Sequence, residues 1–224
     1  MTPSRSPRYI AVEGPIGVGK TTFAKLLAER LGARTVLDEG NNPFLGDFYE
    51  NPKDRAFQAQ VYFLLSRYQQ KHDFLQGDLF SAGGVVSDYL FAKDRIFAQL
   101  NLSRDELILY DKVYSLLGTQ VTRPDLVVYL QAKADVLKER AKKKAAHAAH
   151  GAKAPSKDYL ERVAEAYAEF FFHYAESPLL VVNTSEIDFV ERREDLDDLL
   201  AVIQNHVAKK TAGISHYSPL GSQL

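Results

Sequence analysis

The segment Gly14-Pro15-Ile16-Gly17-Val18-Gly19-Lys20-Thr21 fits the pattern G-x-x-x-x-G-K-[ST], which is typical of a phosphate-binding loop. Its glycines let successive backbone N–H groups turn towards phosphate oxygens, and a helix that follows adds its positive end. In such loops the lysine reaches the β- and γ-phosphates, and the threonine hydroxyl ligates Mg²⁺. The motif therefore predicts a bound nucleoside triphosphate but not the group that receives the phosphoryl. The predicted contacts are Gly14, Ile16, Gly17, Val18, Gly19, Lys20, Thr21 and Thr22.

Carboxylates stand at the predicted ends of two further strands, with Asp38 and Glu39 after the second and Asp88 after the third. Transfer of a phosphoryl group to a hydroxyl needs one acid to accept the proton and another to hold Mg²⁺. Strand ends beside the phosphate loop would bring Glu39 and Asp88 towards the γ-phosphate. Both could instead be solvated turn residues, and Asp88 could be a helix cap.

The long helical segment Arg55–Arg67 is apolar nearly all round, which indicates burial on most of its sides. Gln60 and Arg67 lie on one face with Phe63 and Leu64, at helical spacing. A buried amide and a buried guanidinium must be hydrogen-bonded, and a planar nucleobase would satisfy both. The two side chains could equally bond to backbone or to each other in the core.

Short runs rich in Val, Ile and Leu alternate with longer helical patterns along the chain. Such runs are typical of parallel strands covered on both faces, so the sequence predicts an α/β fold with a five-stranded parallel sheet. Ligands bind at the carboxyl ends of the strands in such sheets, where the motifs above lie. The predicted strands are Tyr9–Glu13, Thr35–Asp38, Gly84–Ser87, Leu126–Leu130 and Leu179–Val182, and the predicted helices are Lys20–Leu31, Pro52–Leu75, Leu90–Leu100, Arg104–Leu117, Asp135–Ala149, Lys157–Glu176 and Glu191–His206.

The composition narrows the functional class. Lys plus Arg is 28 and Asp plus Glu is 29 in 224 residues, a net charge of −1. This balance argues against a nucleic-acid partner and against a polybasic membrane binder. The chain has no cysteine, which excludes disulfides, thiolate nucleophiles and Cys-ligated metal sites. No run of 18 apolar residues occurs, so we expect a cytoplasmic protein. We also expect one domain at residues 9–208, with a flexible segment at 1–8 and a tail at 209–224.

The segments together resemble the deoxyribonucleoside kinases, the family of deoxycytidine, deoxyguanosine and bacterial deoxyadenosine kinases. The resemblance implies a single P-loop kinase domain with helices on both faces of the sheet, a basic lid and a common tendency to form homodimers. It also implies Mg²⁺-dependent transfer of the γ-phosphoryl of ATP to the 5′-hydroxyl of a deoxynucleoside. The matching segments are the phosphate loop, Asn42–Leu45 with Phe48-Tyr49, Phe57–Arg67, Asp88–Ala98 and Tyr159–Val190.

The resemblance also implies individual roles. Glu39 matches the glutamate that takes the proton from the 5′-hydroxyl, and Asp88 matches the acid near Mg²⁺. Tyr49 matches the tyrosine that bonds to the sugar 3′-hydroxyl. The residues implied around the base are Gln60, Arg67 and Asp94, with Phe97 stacked on the base.

The chain departs from the family pattern directly after Asp88. The family has an arginine and a serine there, whereas this chain has Tyr89 and Leu90. That arginine acts near the acceptor and the phosphates, so its role must be filled otherwise or lost. Arg55 or Lys93 could substitute, and the sequence does not decide between them.

The lid, at about residues 139–156, is the second departure. Arg140 matches the first lid arginine and, with Glu39 and Lys20, completes the predicted catalytic set. Lys144 stands where a second arginine is usual and Ala146 where a third is. Lysine neutralises phosphate charge as a point charge, without the bidentate fork of arginine.

The donor contacts and the acceptor are less sharply defined. Asp188 and Phe189 resemble the family's loop against the donor adenine, although a turn anchored in the core would look the same. A purine acceptor, deoxyadenosine or deoxyguanosine, follows from the resemblance, and deoxycytidine suits the same side chains. The alternatives are a nucleoside monophosphate kinase of the thymidylate kinase type and a GTPase-like switch, although the chain has no Asn-Lys-x-Asp guanine motif.

Overall fold

The computed structural model describes most of the chain. The predictions for Glu39, Tyr49, the side chain of Lys144 and the N-terminal residues 1–8 lie outside the described residues. None of the helices in the described part is long and apolar enough to cross a lipid bilayer. The described ranges are 9–38, 42–44, 46, 48, 51–78, 84–119, 121–146, 156–190, 192–209 and 213–218.

A six-stranded parallel sheet forms the centre of the fold, in the order β2-β3-β1-β4-β5-β6. The first strand lies between β3 and β4, so its carboxyl end opens at the middle of the sheet. The strands are β1 (Tyr9–Glu13), β2 (Arg34–Val36), β3 (Val85–Ser87), β4 (Leu126–Gln131), β5 (Leu179–Asn183) and β6 (Ile214–Tyr217).

Helices cover both faces of this sheet, as the apolar runs predicted. Alternate residues of β1 show why, since Ile10 and Val12 enter one core cluster while Tyr9 and Ala11 enter another. The first cluster packs against α1 and α7, and the second against α3 and α6. The helices are α1 (Lys20–Leu31), α2 (Pro52–Asp78), α3 (Lys93–Asn101), α4 (Arg104–Gly118), α5 (Ala134–Ala146), α6 (Lys157–Phe172) and α7 (Arg193–Lys209).

The structure corrects two expectations about the ends of elements. Residues Ile214–Tyr217, which were expected to belong to a loose tail, pair with β5 as a sixth strand. The third helix begins at Lys93 rather than Leu90, because the N–H groups of Lys93, Asp94 and Arg95 donate to carbonyl oxygens three residues earlier, which gives turns rather than α-helix over residues 90–92. Both changes leave the α/β assignment intact.

Candidate active site

The phosphate loop connects β1 to α1 in the conformation that the motif predicts. Gly19 precedes the first helical residue, so the first N–H groups of α1 have no partner inside the helix and can face an anion. Gly17 has φ +87°, and a Cβ there would lie 2.5 Å from the carbonyl oxygen of Leu137. Gly19 has φ +101°, and a Cβ there would lie 2.9 Å from the ring of Phe189. The loop therefore needs glycine at both positions.

Lys20 folds back over this loop. Its Nζ donates to the carbonyl oxygens of Gly14 (2.6 Å) and Pro15 (3.2 Å) and lies 3.9 Å from Glu13 Oε1. Burial lowers the pKa of Lys20 to about 8, and the nearby carboxylate of Glu13 opposes that shift. The ammonium group thus lies within the loop that would receive the phosphates.

Asp88 connects the phosphate loop to the end of β3. The hydroxyl of Thr21 donates to Asp88 Oδ2 (2.6 Å), and the backbone N–H of Asp38 donates to Asp88 Oδ1 (2.6 Å). The side chain of Asp88 therefore binds both the loop and the neighbouring strand end, and Asp88 is only 3% exposed. A hydroxyl and a carboxylate side by side are oxygen donors of the kind that Mg²⁺ prefers. The described residues contain no cluster of three or more histidine, cysteine, aspartate or glutamate side chains that could hold a metal. The hydroxyl of Thr21 and the carboxylate of Asp88 would fit Mg²⁺ together with oxygens of the triphosphate.

Asp38 lies two residues after β2 and pairs with two cations. Arg67 donates to it in a fork, from Nε to Oδ1 (3.0 Å) and from Nη2 to Oδ2 (2.8 Å), and Lys93 Nζ adds a third contact (2.7 Å). Burial works to raise the pKa of Asp38, but the charges of Lys93 and Arg67 outweigh it and hold the pKa well below its usual range. Such a carboxylate is a poor proton acceptor at neutral pH. Asp38 is therefore suited to positioning rather than to general-base catalysis.

The side chains predicted to read a nucleobase lie on α2 and α3. Arg67 Nη1 donates to Asp94 Oδ1, while Asp94 Oδ2 is buried and has no hydrogen-bond partner among the described residues. Burial raises the pKa of Asp94, and Arg67 opposes the shift without cancelling it. Gln60 is 4% exposed, and the guanidinium of Arg67 stacks 4.4 Å above the ring of Phe63. An unpaired acid oxygen and a buried amide leave hydrogen-bonding capacity for a ligand.

Phe97, the predicted stacking residue, lies at the edge of this region. Its ring meets that of Tyr167 edge-on, with the centroids 6.1 Å apart, and it packs against the core cluster on that face of the sheet. One side of the ring is thus held by protein. Stacking on a base remains a prediction for this residue.

Glu13 is a buried carboxylate that the sequence reasoning did not assign to the site. It is 0% exposed, and it accepts from the N–H groups of Gly14 (2.9 Å) and Leu90 (2.8 Å) and from the hydroxyl of Tyr167 (3.2 Å). It thereby connects the phosphate loop, the loop after β3 and α6. A carboxylate at the end of a fully buried strand was the available signal, because a buried charge must be paired.

Arg140, the predicted lid arginine, is engaged by backbone in this structure. Its guanidinium donates to the carbonyl oxygens of Val18 (3.3 Å), Thr184 (3.0 Å) and Ile187 (3.0 Å), and to the hydroxyl of Thr184 (3.1 Å). These contacts connect the phosphate loop to the loop after β5. In that loop, Phe189 is buried against Phe23, with the ring centroids 5.2 Å apart, and the N–H of Asp188 donates to Asp195 (2.7 Å). Contacts of these residues with ATP remain predictions.

The structure thus brings together the phosphate loop, Thr21, Asp88, Arg67 and Asp94. It resolves one alternative, because Arg67 bonds to carboxylates rather than to backbone or to Gln60. Asp38 was not predicted as a site residue, and Lys93 was predicted only as one of two substitutes for the missing arginine. Lys93 lies beside Asp38 with its Nζ 5.6 Å from the centre of the Tyr89 ring, whereas Arg55 is exposed.

Comparison with known proteins agrees with this geometry. The model of the deoxynucleoside kinase family matches residues 10–208. The chain is 32% identical over 201 residues to a deoxyguanosine kinase of Bacillus subtilis (strain 168), covering 88% of this chain and 96% of that relative. It is 33% identical over 186 residues to a deoxyadenosine kinase of Dictyostelium discoideum, covering 80% and 73%. A solved structure of deoxyadenosine kinase from M. mycoides with bound dATP has a TM-score of 0.71 at 20% identity, covering 88% and 99%, which shows the same fold.

Proposed function

The chain belongs to the deoxynucleoside kinase family, and from that premise we propose that it phosphorylates the 5′-hydroxyl of a purine deoxynucleoside with ATP and Mg²⁺ in cytoplasmic nucleotide salvage. One observation carries the proposal, the hydrogen bond of 2.6 Å between Thr21 Oγ1 and Asp88 Oδ2. It joins the phosphate loop to an acid at the end of β3. The buried pair of Arg67 and Asp94 lies on the adjacent helices α2 and α3. The phosphoryl donor and the nucleoside acceptor can therefore meet at one edge of the sheet.

The chain's own residues supply the parts that phosphoryl transfer requires. Backbone N–H groups of the loop and the ammonium of Lys20 bind the phosphates and balance the charge that spreads over the transferred group. The family resemblance assigns the general base to Glu39. Its neighbour Asp38 is fixed in ion pairs that make it a poor proton acceptor. Lys93, which lies beside Asp38, would take the role of the arginine that the family has at the position of Tyr89.

Thr21 and Asp88 would hold Mg²⁺ together with oxygens of the triphosphate. The metal would supply charge neutralisation at the β- and γ-phosphates. The residues around it have a separate task, since the N–H of Asp38 fixes the orientation of the Asp88 carboxylate. We expect a carboxylate held in this way to be ready for the metal without rearrangement.

The names of the relatives support a purine acceptor, and the hydrogen-bonding groups of the site are compatible with one. The relatives named above are a deoxyguanosine kinase and a deoxyadenosine kinase. The unpaired Oδ2 of Asp94 can accept a hydrogen bond from an amino or imino group of a base, while the amide of Gln60 can both donate and accept. Deoxycytidine also carries an amino group, so it is the competitor that an assay must include.

A panel of the four deoxynucleosides with ATP and Mg²⁺, measured as kcat/KM, tests the proposal. We expect a purine deoxynucleoside to have the highest value and its 5′-monophosphate to be the product. The four deoxynucleoside monophosphates, offered as acceptors in parallel, should remain unchanged. A preference for a pyrimidine would overturn the purine assignment, and turnover of monophosphates alone would overturn the choice of acceptor.

We also propose that the protein is a homodimer. Its support is the exposure of large apolar side chains on two helices that pack together, Leu109 and Leu116 on α4 and Leu65 on α2. Exposed apolar side chains that lie together are typical of contacts between subunits. Light scattering during gel filtration should give twice the chain mass, and a monomer mass would contradict the proposal.

A further inference from the structure

Asp38 contacts both a predicted base-reading residue, Arg67, and the predicted metal ligand Asp88. Resting on the kinase function proposed above, we propose that Asp38 is a positioning residue through which a bound nucleobase strengthens the binding of ATP at the phosphate loop. Its side chain faces the predicted base-reading residues, and its backbone faces the predicted metal ligand. The link runs through contiguous hydrogen bonds from Asp94 through Arg67, Asp38 and Asp88 to Thr21, with Asp38 at its centre.

The side chain of Asp38 forms the nucleobase end of the link. The fork from Arg67 uses Nε and Nη2, at 3.0 and 2.8 Å, so the guanidinium plane and the carboxylate plane fix each other. The remaining terminal nitrogen of Arg67 donates to Asp94. A ligand that binds to the free oxygen of Asp94 therefore restrains Arg67, and Arg67 restrains Asp38.

The backbone of Asp38 forms the phosphate end. Its N–H donates to Asp88 Oδ1 across 2.6 Å, and the second oxygen of Asp88 accepts from Thr21 across 2.6 Å. The N–H of Asp88 in turn donates to the carbonyl oxygen of Val36 (3.1 Å), so the ends of β2 and β3 are joined in both directions. Any displacement of Asp38 would therefore move the carboxylate that orients Thr21.

Lys93 makes this link depend on charge. The carboxylate of Asp38 is 20% exposed and lies between two cations whose side chains are 9% exposed (Arg67) and 5% exposed (Lys93). Without its negative charge the two cations would repel each other in a poorly solvated space. The position of Asp38 thus responds to Arg67. A nucleobase that orders Arg67 and Asp38 reduces the conformational freedom that ATP must still remove when it binds.

The coupling is measured by calorimetry on the whole chain. Binding of the non-hydrolysable analogue AMP-PNP with Mg²⁺ is titrated without nucleoside, then with saturating deoxyguanosine and, in a parallel series, deoxyadenosine. In the wild type we expect at least one nucleoside to tighten analogue binding by about 5- to 150-fold. In Asp38→Asn, which keeps the backbone N–H, we expect this factor to fall towards 1 while each ligand still binds alone.

Two further variants make the test specific. Asp111→Asn removes another carboxylate paired with an arginine, Arg95, on an exposed surface, and should keep the wild-type factor. If Asp38→Asn does not fold, Asp38→Glu keeps the charge but shifts the carboxylate by one methylene, and the factor should fall there as well. A merely structural role would weaken both ligands without changing the factor that relates them.

The possible failures are distinguishable. A wild-type factor of 1, with each ligand bound separately, would overturn the link and leave the kinase assignment intact. An Asp38→Asn variant with the wild-type factor would do the same. A wild-type protein that binds neither nucleoside nor the analogue would overturn the proposed function and the link together.

Discussion

The hydroxyl of Tyr167 on α6 donates a hydrogen bond of 3.2 Å to Glu13 Oε1 at the end of β1, 154 positions earlier in the chain. Tyr167 is 1% exposed and Glu13 is 0% exposed, so neither group can exchange its partner for bulk water. Glu13 also accepts from the N–H groups of Gly14 and Leu90. The buried carboxylate of Glu13 therefore positions the start of the phosphate loop, and Tyr167 on α6 helps to position that carboxylate.

Removal of this hydroxyl should lower the stability of the protein. A hydrogen bond to a charged group contributes about 1.5–3 kcal/mol, so we expect Tyr167→Phe to reduce the free energy of unfolding by about that amount. The matched control is Tyr110→Phe, since the hydroxyl of Tyr110 is buried without a partner among the described residues. That change should be neutral or slightly stabilising. Urea unfolding of both variants measures the difference, and equal losses would contradict the role of Glu13 as acceptor.

Thr21→Ala should weaken the use of Mg²⁺. The change removes the hydroxyl that lies 2.6 Å from Asp88, so we expect the Mg²⁺ concentration for half-maximal activity to rise by about 10- to 100-fold. Thr21→Ser keeps the hydroxyl and should remain near the wild type. Activity measured against Mg²⁺ at saturating ATP separates the two variants. Identical curves for Ala and Ser would show that the hydroxyl is not a ligand.

Glu39→Gln should abolish most of the turnover without preventing nucleoside binding. Loss of a general base lowers kcat by about 10²–10⁴-fold, whereas the amide keeps the size of the side chain. Asp38 should not replace it, because Arg67 and Lys93 hold the pKa of Asp38, against the effect of burial, well below its usual range. The control is Glu29→Gln at an exposed position of α1. Single-turnover kinetics and equilibrium nucleoside binding measure the two effects, and turnover near the wild type would exclude Glu39 as the base.

The sequence was most informative where a motif and an element coincide. Tyr9–Glu13 and Lys20–Leu31 form the predicted strand and helix with the same bounds, because the phosphate loop fixes where each must end and begin. The sixth strand was missed because Ile214–Tyr217 is an edge strand with alternating exposure and only four residues. Its pairing with β5 could not be read from the short segment itself. A continuous apolar run detects central strands and overlooks such edges.

The charge network of the site was harder to predict than its members. The helical spacing placed Gln60 and Arg67 on one buried face, but the partners of Arg67 come from two other elements. Asp38 is 29 positions before Arg67 and Asp94 is 27 positions after it, so the pairs form only when the sheet brings β2 and α3 beside α2. The spacing of a motif identifies which residues are buried. It does not identify which carboxylate each cation selects, because that depends on tertiary geometry.

Stability should also depend on pH, through His206. His206 on α7 is 8% exposed, its Nε2 has no partner among the described residues, and burial lowers its pKa below 6.5 in the folded state. The unfolded chain keeps a pKa near 6.5, so it binds the proton more readily and stability is lost as the pH falls below that value. Well above that value His206 is neutral in both the folded and the unfolded protein, and we expect it to add no pH dependence to the free energy of unfolding.

The variant His206→Gln lacks the titrating group and therefore isolates this effect. We expect the free energy of unfolding of the wild type to decrease more than that of the variant between about pH 7.5 and about pH 5.5. At about pH 8 the difference between the two proteins should be constant, which provides the internal control. Urea unfolding at each pH gives the two curves. Parallel curves through the acidic range would mean that the histidine is as accessible to protons in the folded protein as in the unfolded chain.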